Sequence, residues 1–256
     1  MSPLLTDLVS YWKLDEVSGS RADAHGSNTL TDNNTVGSAA GIISNAASFV
    51  AASSEYLSDT SVTPSISTVL YSVSAWVYPS SLTGRFTVFQ IRNSGGERDG
   101  GLIEIGNGSG VAGSVSVNVN AFWVTTSASV LTANAWNHIV VTIGGTGTTD
   151  RKIYVNGVDV TASPSGTLTG QTCDQLYIGA RNGASNFYGG RIDEVGVWNR
   201  VLTSAEVTQL YNGGAALAYP FSSSTTIKTV DGVTRANVKT FLGVASASIK
   251  TINGIT

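Results

Sequence analysis

The chain has 256 residues, of which 41% are hydrophobic and 12% charged, with 29 Gly and a formal net charge of −3 at pH 7. Charged residues fall well below the roughly 25% of an ordinary globular chain, so solubility rests on Ser, Thr, Asn and Gly, the surface composition of a sheet protein. No segment clusters Lys or Arg, which excludes the electrostatic footprint of a nucleic-acid binder; the single cysteine, Cys173, excludes a disulfide framework and a Cys-based zinc site and reads as a buried free thiol.

Residues 1–7 lack a basic patch followed by an apolar run, so no secretory signal is read there. No stretch reaches the ~18 apolar residues of a membrane-spanning helix, and no membrane insertion is expected. Strands are predicted over residues 8–14, 72–78, 86–91 and 102–105, bounded by Gly, Ser, Asn and Pro clusters. In residues 114–119 Val115, Val117 and Val119 share a face, and in 137–143 Ile139, Val141 and Ile143 do, the period-two mark of half-buried strands. Residues 152–155 and 158–160 flank Asn156-Gly157, a pair suited to the two positive φ angles of a type I′ turn, and form a hairpin. Further strands follow over 175–178 and 190–198, and so many short strands indicate two packed antiparallel sheets. Thr203-Ser204-Ala205-Glu206 is a capping box with Val207, Leu210 and Tyr211 at helical spacing and Asn212-Gly213-Gly214 as the C-cap, so one short helix ends a domain at 1–219.

Residues 220–226 read as a linker, and a repeat of eleven residues then occupies 227–256. Its units begin Ile227-Lys228-Thr229-Val230, Val238-Lys239-Thr240-Phe241 and Ile249-Lys250-Thr251-Ile252, each followed by a Gly turn and an apolar residue. Each unit suits a small β-hook, and three hooks bury too little by themselves. Ile227, Val230, Val238, Phe241, Ile249 and Ile252 are therefore expected to pack on a partner: the preceding domain, sister copies in a trimer, or a larger particle.

Leu8-Val9-Ser10-Tyr11-Trp12-Lys13-Leu14-Asp15-Glu16, the loop from Ala22-Asp23 to Gly26 and Asn28, Asn45-Ala46-Ala47-Ser48-Phe49, Glu55-Tyr56-Leu57 and Val73-Ser74-Ala75-Trp76-Val77-Tyr78-Pro79 stand in a telling order. Trp136 to Thr142, Ile153 to Gly157, Ile178-Gly179 and Gly190 to Leu202 continue it. Together, over about residues 8–212, these motifs resemble the laminin-G-like jelly-roll family of the concanavalin-A-like lectin and glucanase superfamily. The resemblance implies an all-β, two-sheet antiparallel jelly-roll sandwich; it leaves function open, because this fold hosts lectins, hydrolases and structural modules. It also implies a structural Ca²⁺ held by Asp15, Asp23 and Asp193 with Asn28 or nearby carbonyls, the alternative being that these side chains satisfy backbone groups.

Glucanases on this scaffold carry paired acids on one strand face, as retaining hydrolysis demands. Here residues 102–106 offer Glu104 alone, read as a solvated strand residue, and Asp193 and Glu194 are adjacent and point to opposite faces. The Gly-x-Gly-x-x-Gly at 108–113 has no helix pattern behind it and reads as a loop. His25 and His138 lack zinc-spaced partners, and His138 reads as a packed histidine. The chain is thus expected not to be an enzyme. Sugar binding needs aromatic faces and amide-bearing loops, which points to the loops at 92–99 and 181–188: Trp123, Arg181, Asn186 and Tyr188 are the candidate ligand residues, while Trp12, Trp76, Trp136 and Trp198 read as core. The expected function is a structural or adhesive module, a virion-surface decoration or fibre-like protein acting outside the cell without a signal peptide, docked or assembled through its tail. A carbohydrate-binding lectin-like module, with calcium, is the alternative; protein partners through the tail and glycans are the partner classes.

Overall fold

The computed structural model describes residues 2–95, 99–106, 111–119, 122–126, 129–162 and 164–221, with the backbone of 229–230, 233–234, 240–241 and 244–245. In chain order the strands are β1 (Leu8–Trp12), β2 (Thr31–Asn33), β3 (Gly37–Ala40), β4 (Asn45–Phe49), β5 (Tyr56–Asp59), β6 (Ile66–Ser67), β7 (Tyr71–Pro79), β8 (Phe86–Arg92) and β9 (Asp99–Ile105). They continue as β10 (Val115–Val119), β11 (Phe122–Thr125), β12 (Asn137–Ile143), β13 (Arg151–Val155), β14 (Val158–Asp159), β15 (Thr172–Cys173), β16 (Gln175–Ile178) and β17 (Gly190–Trp198), and helix α1 (Ser204–Tyr211) follows. One sheet runs β14-β13-β12-β7-β17-β4-β3, with β1 also paired to β17; the other runs β11-β10-β9-β8-β16-β5-β2. This is the predicted two-sheet antiparallel sandwich with a short helix near the end of the domain. Strands distant in sequence pair at its centre, β7 with β17 and β8 with β16, the long returns of a jelly roll.

Alternation decides what each sheet buries. In β12, Ile139, Val141 and Ile143 enter the core between the sheets, joined by Val115, Val117 and Val119 of β10 and by Phe89, Ile103, Ile178 and Val195. Val140 points the other way, into a second apolar layer of Leu4, Leu8, Tyr11, Tyr154, Trp198, Leu202, Val207, Leu210 and Phe221. The eight-stranded sheet is thus packed on both sides, and its central strand β7 is buried nearly throughout. Full burial of each such aliphatic or aromatic side chain contributes about 1.5–3 kcal/mol before chain entropy is counted.

Local signals hold where the chemistry was specific. Asn156 and Gly157 take φ of 51° and 81°, the I′ turn, and join β13 to β14 with Val155 opposite Val158. Thr203 Oγ1 accepts from the Glu206 amide at 3.2 Å and the Glu206 carboxylate accepts from the Thr203 amide at 2.9 Å, closing the capping box of α1. Asn212 caps its end in the left-handed region. Cys173 is a buried free thiol.

The chain divides into two units, Met1–Phe221 and Ser222–Thr256. Phe221 belongs to the first: it is buried and crosses the Tyr11 ring edge-on at 5.0 Å. In the second unit Thr229–Val230 pairs antiparallel with Val233–Thr234, and Thr240–Phe241 with Val244–Ala245. Ile227, Val238, Ile249 and Ile252 lie outside the described residues.

Candidate functional site

The outer face of the seven-stranded sheet is where register gathers polar side chains. Trp123 is opposite Asn118, Asn118 opposite Leu102, Leu102 opposite Gln90, Gln90 opposite Tyr177 and Tyr177 opposite Ser58. Directly paired residues share a face, so this row crosses six strands; beside it Thr125, Ser116, Glu104 and Thr87 form a second row. The rows are mostly polar, yet Leu102, Gln90, Thr87, Glu104 and Ser116 are 0% exposed.

Part of that cover is the loop after β16. The Asn182 amide donates to Gln90 Oε1 at 2.6 Å, the Thr87 amide donates to the Asn186 carbonyl at 2.8 Å, and Asn186 Nδ2 donates to Glu104 Oε1 at 2.8 Å. Asn182, Gly183 and Asn186 all have positive φ, which asparagine and glycine tolerate at least cost. Gly183 is also required sterically, because a Cβ there would stand 2.7 Å from the Tyr56 ring. Tyr56, Tyr177 and Phe187 make the aromatic end of the face, with ring centroids 6.3 and 6.4 Å from Tyr56. Arg92 Nη1 donates to Asn182 Oδ1 beside them.

At the opposite end Arg85 reaches in from a loop. Its Nε donates to Glu104 Oε2 at 2.8 Å, its Nη2 lies 2.6 Å from the same oxygen, and its guanidinium sits 5.2 Å from the centroid of Trp123. Thr87 Oγ1 also donates to Glu104, at 3.4 Å. The expectation of a solvated Glu104 is therefore corrected: two loops and a neighbouring strand supply its donors, and a buried carboxylate persists because it is paired and hydrogen-bonded. The Ser116 hydroxyl, opposite Glu104, has no hydrogen-bond partner among the described residues.

Of the candidate ligand residues, Trp123 and Asn186 meet on this face through Arg85 and Glu104. Arg181 stands at the root of the loop, its amide donating to the Ser185 carbonyl at 2.8 Å. Tyr188 is a correction. It is buried in the core, edge-on to Phe49, with its hydroxyl donating to the Arg191 carbonyl at 3.2 Å, and no ring face is left for a ligand; its neighbour Phe187 is the half-buried ring beside Tyr56. In the loop at 92–99, Ser94 donates its amide and hydroxyl to Asp174 at 2.8 and 2.7 Å, and residues 96–98 lie outside the described residues, as does 107–110 of the glycine-rich segment. Trp12, Trp76 and Trp198 are buried, whereas Trp136 is half-buried, edge-on to Tyr78 at 5.5 Å.

The residues implied for calcium do not fit it as arranged. Asp23 Oδ1 accepts from the amides of Tyr11, His25 and Gly26 and its Oδ2 from that of Asn28. Asp193 Oδ2 accepts from Ile42 and Ile43, Asp15 Oδ1 from Asn45, and Asn28 Oδ1 from Thr63. Ca²⁺ takes six to eight oxygens (about 6–8), and amide dipoles aimed at these oxygens present their positive ends where the cation would sit. Among the described residues no group of three or more His, Cys, Asp or Glu side chains is placed to hold a metal. Asp193 and Glu194 serve different partners: Asp193 clamps the turn at 41–45, and the Tyr11 hydroxyl donates to Glu194. Burial, then the neighbouring Glu194 charge, pushes Asp193 up to about 8. His138 is stacked on Trp76 at 4.9 Å with Nε2 2.8 Å from the Ser74 hydroxyl, and burial pushes it down to about 3. His25 Nδ1 lies 3.2 Å from the Tyr219 hydroxyl.

A family profile described as the Concanavalin A-like lectin/glucanases superfamily matches residues 51–208. No curated protein matches the chain. Among solved structures, domain 4 of AbnA, an extracellular arabinanase of Geobacillus stearothermophilus, in complex with arabinotriose, is 22% identical with a TM-score of 0.58, over 79% of this chain and 97% of that one. The binding domain of Paraclostridial Mosquitocidal Protein 1 is 17% identical with a TM-score of 0.63, over 82% of this chain and 53% of that one. The botulinum neurotoxin serotype D binding domain is 15% identical at 0.59, over 82% and 52%. At these identities the likeness is one of fold.

Proposed function

From the premise that the chain belongs to the concanavalin A-like lectin/glucanase superfamily, we propose that it is a non-enzymatic adhesive module whose sandwich binds carbohydrate on the outer face of the seven-stranded sheet. One observation carries this: a row in which Trp123, Asn118, Gln90 and Tyr177 share the outer face, interrupted only by Leu102, where a structural sandwich would leave the face to solvent or cover it with apolar packing. Amides and hydroxyls match sugar hydroxyls, and aromatic rings match sugar ring faces. The arabinotriose complex of the similar AbnA domain supports the reading. Hydrolysis has no such support, since Glu104 is engaged by Arg85 and Asn186 and, among the described residues, no second carboxylate bonds beside it as glycosidases require. The test is a glycan array of the full chain, in calcium and in chelator. Saturable binding that falls when Trp123 or Phe187 becomes Ala is expected, and a blank array in both buffers sinks the proposal.

The tail supports a second element of the proposal, display of the sandwich on a virion or similar particle outside the cell, with the repeat docking or assembling it. Apolar residues recurring every eleven positions call for a partner surface. Light scattering of the full chain and of a chain ending at Phe221 separates the outcomes: a larger full-length assembly is expected, and two identical monomers would remove the tail's role.

A further inference from the structure

Resting on the carbohydrate reading, we infer that the Trp123 end of the face is a subsite for a neutral sugar, and that the Ser116 hydroxyl is the group held back for it. Ser116 lies in β10 between Glu104 and Thr125, so its side chain belongs to the outer face. It is 0% exposed, and its hydroxyl is without a partner among the described residues. Such a hydroxyl costs the fold stability, and alanine or valine in the same strand position would avoid that cost. Glu104, directly across, spends its oxygens on Arg85, Thr87 and Asn186.

Charge decides the class of ligand. Arg85 and Glu104 cancel each other at 2.6 Å, so a carboxylated or sulfated sugar would have to take Arg85 away and leave a buried anion unpaired. Residues 1–221 also carry ten Lys or Arg against sixteen Asp or Glu, a background that repels anions. A neutral sugar needs only what is present: the Trp123 ring with Arg85 over it, the Asn186 amide and the Ser116 hydroxyl. Beside Ser116, Glu104 and Trp123 are held by side chains from loops, Arg85 on both and Asn186 on Glu104. Loops yield more readily than sheets, so a ligand reaches this corner by displacing side chains and leaves the strands in place.

The experiment titrates the full chain by calorimetry with arabinotriose and xylotriose as neutral probes and trigalacturonate as the anionic one. Neutral probes are expected to bind and trigalacturonate to bind at least tenfold more weakly (about 1.4 kcal/mol). Ser116→Ala is expected to lose about tenfold in affinity while its melting temperature stays level or rises, since removing an unpaired buried hydroxyl relieves the fold. Ser116→Thr, which keeps the hydroxyl, restores binding and covers the case of a misfolded alanine variant. Wild-type affinity in Ser116→Ala, with binding lost in Phe187→Ala, overturns the subsite and leaves the carbohydrate reading standing at the aromatic end. Tighter binding of trigalacturonate overturns the neutral class. Failure of the wild-type chain to bind any of the three, together with a blank glycan array, removes the carbohydrate reading and the subsite with it.

Discussion

On the outside of the eight-stranded sheet, Tyr11, Val140, Tyr154 and Trp198 lie under α1 and the chain's last residues before the tail; on the outside of the seven-stranded sheet, Gln90 and Glu104 are bonded by a loop. Both faces exclude water from the side chains at their centre, but by different means. The first is sealed by apolar packing, which is nondirectional and tolerates no partner but another apolar surface. The second is sealed by directed bonds between sheet side chains and loop amides, so its cover can be exchanged for another set of donors and acceptors. A sandwich needs one closed back to stay folded and can then leave the other face for recognition.

Substitution should separate the faces by energy. Trp198, 0% exposed with its Nε1 donating to the Leu4 carbonyl at 2.8 Å, is expected to cost about 3–5 kcal/mol as Ala in urea unfolding. Trp123→Ala, on the half-buried edge strand, is expected to cost about 1 kcal/mol, the scale of its contact with Arg85. Equal losses would mean that the two faces are packed alike. Glu104→Gln falls between them. It keeps an acceptor for Asn186 but leaves Arg85 without its anion, and because Arg85 retains 29% of its side-chain exposure, a loss of about 2 kcal/mol is expected in place of the roughly 3–5 of a fully buried pair. No loss in Glu104→Gln would show that the pair does not hold the loops down.

The closed face was legible in the sequence in part, and the bonds of the open one were not. Trp198 sat in a strand pattern that reads as core, the Thr203 capping box announced α1, and Asn156-Gly157 announced its hairpin, because each of these signals is local; the strand at 137–143 read as half-buried, yet it is buried on both faces because Val140 enters the second layer. The strands β2 and β3 went unread: Thr31–Asn33 and Gly37–Ala40 are short, polar or small, and lie at sheet edges where no alternation is enforced. On the open face the decisive contacts join residues far apart in the chain, Arg85 to Glu104 and Glu104 to Asn186, and no spacing rule links them. Tyr188 was misplaced for a related reason. Phe187 and Tyr188 are adjacent, and which of them faces outward depends on where the loop re-enters the core, which a loop composition does not state.

Acid offers the smallest of these tests. His138 lies on the closed face, stacked with Trp76 and Tyr211, and burial holds its pKa at about 3. Its folded pKa is depressed below the unfolded value of about 6.5, so below that pH the unfolded chain takes up a proton that the folded chain refuses, and stability falls as pH falls. Between pH 7 and pH 5.5 this single group removes about 1 kcal/mol. Buried Asp193, with its raised pKa, works in the opposite direction: its folded form prefers the proton, so its contribution grows as pH falls. The quantity to measure is therefore the difference between the wild type and His138→Gln, which cannot titrate. Urea midpoints of the two should converge between pH 7 and pH 5.5, the wild type losing its lead by about 1 kcal/mol. Parallel pH dependences would mean that protonated His138 finds solvent or a partner in the fold, and that the apolar back of the sandwich opens to water more easily than its packing implies.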